Sequence, residues 1–458
     1  MTPDRVAVID IGKTNVKLAL VETADLSEIA VVTRPNVVLA DPPYPHFDVE
    51  AIWTFLLDGL ERFHHQHGID AISITTHGAS GALIAQDGSL AAPVMDYEHT
   101  GPDQAQAIYD AIRPFFEETG APRLPMGLNL GAQIHWQFLQ DPDLRRRAAS
   151  IVTYPQYWGF RLSGVLACDV SSLGCHTDLW DPFRGRFSSL VDQLDIADKM
   201  APARKSADVL GPVLPDIARH IGLGPETPVL CGIHDSNASL LPHVLQRDPP
   251  FSVVSTGTWV IAMTIGGASI SLDPARDTLV NVNALGAPVP SARFMGGREY
   301  EILQNGETAE CDGDTIARAA ETGPLLMPAV VAQSGPFQEH RHHWIGPEPA
   351  PGSPVRAATV GFYLAMMTAE CLSLTGHRGP VVVEGPFGTN DAYCAMLAAA
   401  TGCAVLAAEG TTGTSQGAAL LALGTTGTQA EFKVRRFDPK QGQHYADYAQ
   451  RWRMSVAG

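Results

Sequence analysis

The chain has 458 residues, past the roughly 250–300 at which one hydrophobic core usually divides, so two domains are expected. Hydrophobic residues make up 45% and charged residues 17%, an ordinary globular mixture able to bury a large core. Acids outnumber bases 49 to 31, and the net charge of −18 argues against a nucleic-acid partner; an anionic ligand would need backbone amides, a metal ion or a single lysine to hold it.

In chain order, Val6–Asp10 reads as a strand, Ile11–Asn15 as a turn and Val16–Glu22 as a returning strand. The start shows no basic leader or cleavage site, so a cytoplasmic protein is expected. Apolar spacing predicts helices over 48–65, 102–118 and 132–139. Between the first two, Ala71–Thr75 is a strand ending at Thr76-His77-Gly78-Ala79, and Leu83–Gln86 precedes an Asp87-Gly88 turn. Pro228–Ile233 is a short strand that stops at His234-Asp235, with a helix over Ser236–Leu240.

A second strand–turn–strand follows: Phe251–Ser255, a turn at Thr256-Gly257, then Thr258–Thr264. It echoes the first, a weak internal repeat that places the domain boundary near 240–250 and gives domains 1–244 and 245–458. Beyond it lie a helix over Gly361–Leu374, a strand at Pro380–Glu384, a glycine loop and a helix at Asp391–Thr401. A strand at Ala404–Ala408, a loop at Gly410–Gly417 and a small-residue helix from Ala418 complete the order. The stretch Ala357–Thr375 is apolar but interrupted by Glu370 and rich in small residues, which favours a buried helix over a membrane span. The mixture is α/β. Seven scattered cysteines form no CxxC pair, so neither a disulfide framework nor a zinc knuckle is expected.

Gly12-Lys13-Thr14 invites a P-loop reading that fails twice: the required earlier glycine is Ala7, and a strand follows the threonine. What remains is a tight turn whose amides, hydroxyls and lysine could face an anion, or an ordinary hairpin turn. Ser255-Thr256-Gly257-Thr258 carries the same chemistry in the second half.

Taken together, these segments resemble the FGGY carbohydrate kinases of the actin, Hsp70 and hexokinase superfamily. Asp10–Asn15 is similar to that family's first phosphate loop. Ser255-Thr-Gly-Thr-Trp259 is similar to the second, in the form found in rhamnulose kinases. Gly232-Ile-His234-Asp235-Ser-Asn-Ala238 resembles its Gly-x-His-Asp segment, and Val383-Glu384-Gly385-Pro-Phe-Gly388-Thr-Asn390 its adenosine loop. Lesser similarities are Thr177–Asp181 and Tyr154–Trp158. Two departures stand out: Pro386 and Phe387 replace the usual glycines, and Val94–His99 lacks an arginine common there.

The resemblance implies two ribonuclease H-like, actin-type ATPase domains flanking a central cleft, which closes over ATP, Mg²⁺ and a small sugar. By position alone Asp235 reads as a helix N-cap; within the resemblance it becomes the base that deprotonates a primary sugar hydroxyl. Asp10 becomes the Mg²⁺ residue, through water. Gly12, Lys13, Thr14, Asn15, Lys17, Thr256, Gly257, Thr258, Gly385, Pro386, Phe387 and Asn390 become the ATP contacts. His77, Gly78, His234, Asp235 and Ser236 become the sugar contacts. Gly297-Arg298-Glu299 either reaches ligand, braces the cleft or makes a surface salt bridge. The implied substrate is a ketose of the L-rhamnulose or L-fuculose kind, with xylulose, ribulose or a polyol as alternatives. No membrane or nucleic-acid partner is expected, and a homodimer is one open assembly.

Two other classes compete. Gly413-Thr-Ser415-Gln-Gly417 fits the G-x-S-x-G of serine hydrolases, but the remaining residues offer Asp438 or Asp447 and His444 in a tail without a recognisable strand. A sugar-binding protein without catalysis would not need both Asp10 and Asp235. The histidines at 64, 65 and 67 and at 340, 342 and 343 lack carboxylate or cysteine companions at ligand spacing, so no histidine metal site is expected.

Overall fold

A computed structural model describes residues 3–307, 309–408, 413–426, 433–439 and 442–457. It divides into two compact units. The first comprises residues 1–246, 280–288 and 412–430; the second comprises 247–279, 289–411 and 431–458.

Unit 1 is built on a twisted mixed sheet in the order Glu28–Pro35, Asn15–Glu22, Arg5–Ile11, Ala71–Thr76, Pro228–Leu230 and Val209–Pro212. The first three strands form an antiparallel meander, Ala71–Thr76 and Pro228–Leu230 continue in parallel, and Val209–Pro212 turns back antiparallel. Unit 2 repeats this plan: Pro288–Phe294, Val260–Ile265 and Phe251–Thr256 are antiparallel, Val381–Glu384 and Val405–Ala408 are parallel, and Val434–Phe437 returns antiparallel. The internal repeat is therefore structural, and each unit is the ribonuclease H-like sheet that the resemblance implies. Every residue of Val6–Ile9 and Val381–Val383 is buried, as a strand covered on both faces requires.

The helices close these sheets for local reasons. Asp48 caps Val49–His67 by accepting the Ala51 N–H at 3.0 Å, and Ile52, Leu56, Leu60 and Phe63 recur at helical spacing on its buried side. Ser353 caps Pro354–Leu374, the one described helix long and apolar enough to cross a membrane; most of it is buried inside unit 2. Asn390 caps Asp391–Thr401, and Gly402 ends it in the left-handed region.

Three expectations need correction. The helix over 102–118 is a 3₁₀ turn at Gly101–Ala105 and short helices at Gln106–Asp110 and Phe116–Thr119. Pro114 lacks an N–H and disfavours helical backbone at Arg113, so the apolar periodicity cannot propagate. Of the loop over 410–417, residues 410–412 lie outside the described residues, and helix Thr414–Leu420 begins earlier than expected. The tail after Ser415 does contain a sheet strand, Val434–Phe437, whose apolar and charged residues give little strand pattern because it is an edge.

Candidate functional site

Strand Pro228–Leu230 and the two-residue strand Ile233–His234 both pair with Ala71–Thr76, separated by a break at Gly232. Gly232 has φ +91°, and a Cβ there would lie 2.7 Å from the Ile74 carbonyl oxygen, so the chain can cross at this point only as glycine. The crossing delivers His234 and Asp235 to the strand end beside His77 and Gly78. Helix Asp235–Gln246 starts immediately after.

Asp235 is held asymmetrically. Its Oδ1 accepts the Ser236 backbone N–H at 2.6 Å and lies 3.1 Å from His234 Nε2. Its Oδ2 has no partner among the described residues. His234 is itself fixed: its backbone N–H donates to Ser171 Oγ at 3.0 Å, and Ser171 donates to buried Asp169, which also accepts from Ser206 at 2.6 Å. His234 Nδ1 is 3.4 Å from the Asn237 amide nitrogen, and the buried Asn237 Oδ1 has no partner among the described residues. Half a turn of that amide pairs Oδ1 with a protonated Nδ1 and makes His234 a double donor. Burial, the largest influence on His234, disfavours the cation, but Cys175 and Asp235 outweigh it and lift its pKa to about 9. Burial also opposes a thiolate at Cys175, yet His176 and His234 bring its pKa down to about 5.

His77 lies with Phe47, Tyr97 and Tyr154, their ring centroids 5.1–5.2 Å from its own. Burial, with smaller contributions from Lys13 and His234, holds its pKa below the ordinary histidine value, so the ring is neutral near pH 7. Nδ1 meets the Gly78 carbonyl at 3.0 Å, while Nε2 is buried with no partner among the described residues. Gly78 packs directly on His234: a Cβ would sit 2.7 Å from Nε2.

Asp10 is the penultimate residue of its strand, between Lys17 and Thr75 in register. Burial raises its pKa most; the Thr414 hydroxyl, which donates to Oδ2, lowers it, and the charge of Asp235 raises it again. Two carboxylates that repel one another and offer only oxygen donors suit Mg²⁺, which keeps most of its waters and needs few protein ligands. Asp10, with Asp235 nearby, would hold that ion. Gly12 donates to the Asn15 carbonyl at 2.9 Å, and Asn36 braces the turn by donating to the Gly12 carbonyl at 2.8 Å. Thr14 and Asn15 flank that turn. Lys17 pairs with Glu28 at 2.6 Å. Lys13 pairs with Asp96 and, at 3.2 Å, with Glu98.

In unit 2, Thr256 ends its strand and Gly257 N donates across the turn to the Trp259 carbonyl at 3.0 Å; Gly257 and Thr258 are exposed. The Thr256 hydroxyl is committed to the adjoining loop, donating to the Glu384 carbonyl at 2.6 Å and accepting the Phe387 N–H at 3.1 Å. Gly385 has φ +85°, and a Cβ would lie 2.1 Å from the Thr256 carbonyl, so the two loops pack backbone to backbone. Pro386–Thr389 forms a 3₁₀ turn, with the Phe387 ring between Tyr300 and Tyr393. Asn390 lines a cavity of about 370 Å³ with Tyr300, Gln304, Glu310, Thr389 and Asp391. A larger cleft of about 1110 Å³, lined by Arg318, Pro347 and Arg451, contains none of the sequence-predicted site residues. Glu299 is fully buried and accepts from the Tyr363 hydroxyl and the Val331 N–H, both at 2.9 Å, whereas Arg298 makes a surface pair with Glu301.

Ser415 cannot act as an exposed nucleophile. It is fully buried, and its Oγ has no partner among the described residues. Gly417 has a packing role instead: a Cβ would lie 1.8 Å from the Ala238 carbonyl, where helix Thr414–Leu420 crosses helix Asp235–Gln246.

The sequence missed Thr414, Asn237, Cys175 and the Lys13 partners. Thr414, Cys175 and the Lys13 partners are joined to the named residues only by long-range packing, whereas Asn237 lies three residues after His234, inside the Gly-x-His-Asp segment.

Residues 6–242 match the N-terminal domain of the FGGY family of carbohydrate kinases, and residues 248–431 match a carbohydrate kinase FGGY C-terminal domain. The chain is 35% identical to a carbohydrate kinase from Novosphingobium aromaticivorans, with a TM-score of 0.91 over 98% of this chain and 100% of that one. A xylulose kinase from Lactobacillus acidophilus shares the fold at 16% identity, with a TM-score of 0.78 over 99% and 97% of the two chains. An L-fuculokinase from Salmonella typhi is 24% identical over 278 residues, 58% of each protein. An autoinducer-2 kinase from Klebsiella pneumoniae is 27% identical over 189 residues, 40% of this chain and 35% of that one. The chain therefore matches less than two thirds of the length of these curated relatives.

Proposed function

Because the chain belongs to the FGGY family of carbohydrate kinases, we propose that it transfers the γ-phosphate of ATP to a primary hydroxyl of a small ketose of the L-fuculose or L-rhamnulose kind. The observation that carries this reading is the asymmetric setting of Asp235, with Oδ1 fixed by His234 and Ser236 and Oδ2 left to accept a proton. A base must be within hydrogen-bond reach of the proton it takes and must not rotate away from it. The clamp on Oδ1 supplies that constraint. His77 Nε2, a neutral buried nitrogen with no partner among the described residues, is suited to bind a sugar hydroxyl, and Gly78 and Ser236 lie at the same strand end.

The amides and hydroxyls of Thr14 and Thr258, with the Asn15 side chain, are assigned to the phosphates; Gly12 and Gly257, whose N–H groups close the two turns, let the phosphates approach the backbone. The cavity lined by Thr389 and Asn390 is assigned to the adenosine, with Tyr300 and Ile316 as apolar walls and Phe387 packed against the Tyr300 ring. The clamped Thr256 hydroxyl acts by shaping this loop, not as a phosphate donor. Mg²⁺ held at Asp10 would neutralise phosphate charge when bound.

The test is ADP release with ATP, Mg²⁺ and a panel of L-fuculose and L-rhamnulose in their ketose forms, D- and L-xylulose, D- and L-ribulose, fructose, aldoses and glycerol. Ketose-dependent turnover is expected, with Asp235→Asn lowering kcat by at least about a hundredfold. Near wild-type turnover by Asp235→Asn reduces Asp235 to a helix cap. Turnover with glycerol or an aldose alone removes the ketose assignment.

A further inference from the structure

Lys13 occupies the first phosphate turn, yet its side chain runs to a different part of unit 1. Its Nζ donates to Asp96 Oδ1, lies 3.2 Å from Glu98 Oε2, and sits 5.0 Å from the Tyr97 ring centroid and 5.4 Å from that of Phe47. Asp96 is buried and anchored by its N–H to the Pro45 carbonyl at 2.9 Å; its Oδ1 also accepts the Glu98 N–H at 3.1 Å. Phe47 and Tyr97 are the rings that enclose His77, and His77 feels the charges of both Lys13 and Asp235. The ammonium therefore belongs to the chamber containing His77 and Asp235.

We propose that Lys13 determines acceptor specificity: it fixes Asp96 and Glu98 as paired acceptors for the hydroxyls of an uncharged polyol, and contributes little to ATP binding. Three arguments carry this. An ammonium has three N–H groups; two are taken by the carboxylates, which leaves one for a ligand oxygen. Leaving for a phosphate would break a partly buried ion pair and two cation–π contacts together. Finally, Lys13 is outnumbered: Asp96 and Glu98 leave the trio with a formal charge of −1, and Asp235 is offset by the His234 cation beside it, so the excess negative charge remains. Such a chamber accepts hydroxyl donors strongly through charge-assisted bonds and repels a sugar acid.

This inference rests on the kinase reading, and one set of measurements separates their failures. KM for D-xylulose or L-fuculose, whichever drives faster ADP release, and KM for ATP are measured for wild type, Lys13→Met and Asp96→Asn. Both variants are expected to raise the ketose KM by at least about tenfold, the scale of a lost polar contact, while the ATP KM stays within about twofold. D-gluconate should neither turn over nor inhibit at concentrations that saturate with the ketose. A rise in the ATP KM without a change in the ketose KM, an equal rise in both, or saturation by D-gluconate overturns the inference and leaves the kinase reading intact. Absence of turnover with every neutral sugar overturns both. Should Lys13→Met fail to fold, Asp96→Asn carries the test, because it leaves the turn unaltered.

Discussion

Gly78→Ala is the smallest change that tests the His234–Asp235 geometry. The added Cβ would lie 2.7 Å from His234 Nε2, 3.0 Å from Cδ2 and 3.7 Å from Cys175 Sγ. Comfortable contact needs about 3.5 Å or more, so the ring or the loop must retreat by roughly 0.8 Å. The imidazole has little room: it is buried, and its backbone is tied to Ser171. A retreat of that size along the Nε2 direction stretches the 3.1 Å contact with Asp235 beyond hydrogen-bond range. Overpacking of this kind costs about 1–3 kcal/mol of stability, whereas a base misplaced by about 1 Å costs on the order of a hundredfold in rate. The expected result is a kcat lower by about thirty- to a hundredfold, with an apparent Tm only a few degrees lower.

Steady-state ADP release gives kcat, differential scanning fluorimetry gives Tm, and a double-mutant cycle with His234→Asn isolates the clash. If the clash acts through the ring, Gly78→Ala should cost much less in the His234→Asn background. A kcat for Gly78→Ala within twofold of wild type would refute the reasoning, as would full additivity in the cycle.

Asp10→Ala should raise the Mg²⁺ concentration for half-maximal rate and leave Tm nearly unchanged; an unaltered Mg²⁺ titration removes Asp10 from the metal site. His234 has its pKa raised to about 9, so its cation is present below that value and is lost above it. The rate should accordingly fall as pH rises through about 9, and this limb should be missing in His234→Gln; its persistence there assigns the limb to another group. Glu299 is raised to about 7, chiefly by burial, so the folded state retains a proton that the unfolded chain loses from about 4.5 upward. Its contribution to stability is therefore full below that lower value and lost as pH rises through about 7; Glu299→Gln should shrink the difference in Tm between pH 5 and pH 8, by the equivalent of up to about 3 kcal/mol. An unchanged pH dependence would show that Glu299 is ionised in the native state.

The parts of this protein that were legible in the sequence are those governed by near neighbours along the chain. The two strand–turn–strand units, the helix over 48–65 and the helix Asp391–Thr401 depend on patterns within a few residues. Where a long-range contact decides the outcome, local pattern misleads. The helix start at Thr414 is such a case, since Gly417 must face Ala238 far away in sequence. The edge strand Val434–Phe437 is another, because its pairing with Val405–Ala408 outweighs a sequence without clear alternation.

The same distinction explains the site. Glycine motifs announce that backbone must approach something closely, but do not say what. Gly385 and Gly297 were available to approach a ligand; each instead approaches protein, the Thr256 and Gly257 carbonyls at 2.1 Å and 2.2 Å from the ideal Cβ positions. Gly78 likewise makes room for an imidazole. Lys13 shows the complementary limit: a position in a turn fixes where a side chain begins, but a flexible four-carbon stem lets its charge act elsewhere. Its neighbours in sequence suggested phosphate, while Asp96, Glu98, Phe47 and Tyr97 draw the charge towards His77. Carboxylates and aromatic faces that recruit a lysine from a phosphate turn form a chamber whose polarity depends on that turn. A substitution at residue 13 should thus change which sugar is accepted before it changes how tightly ATP is held.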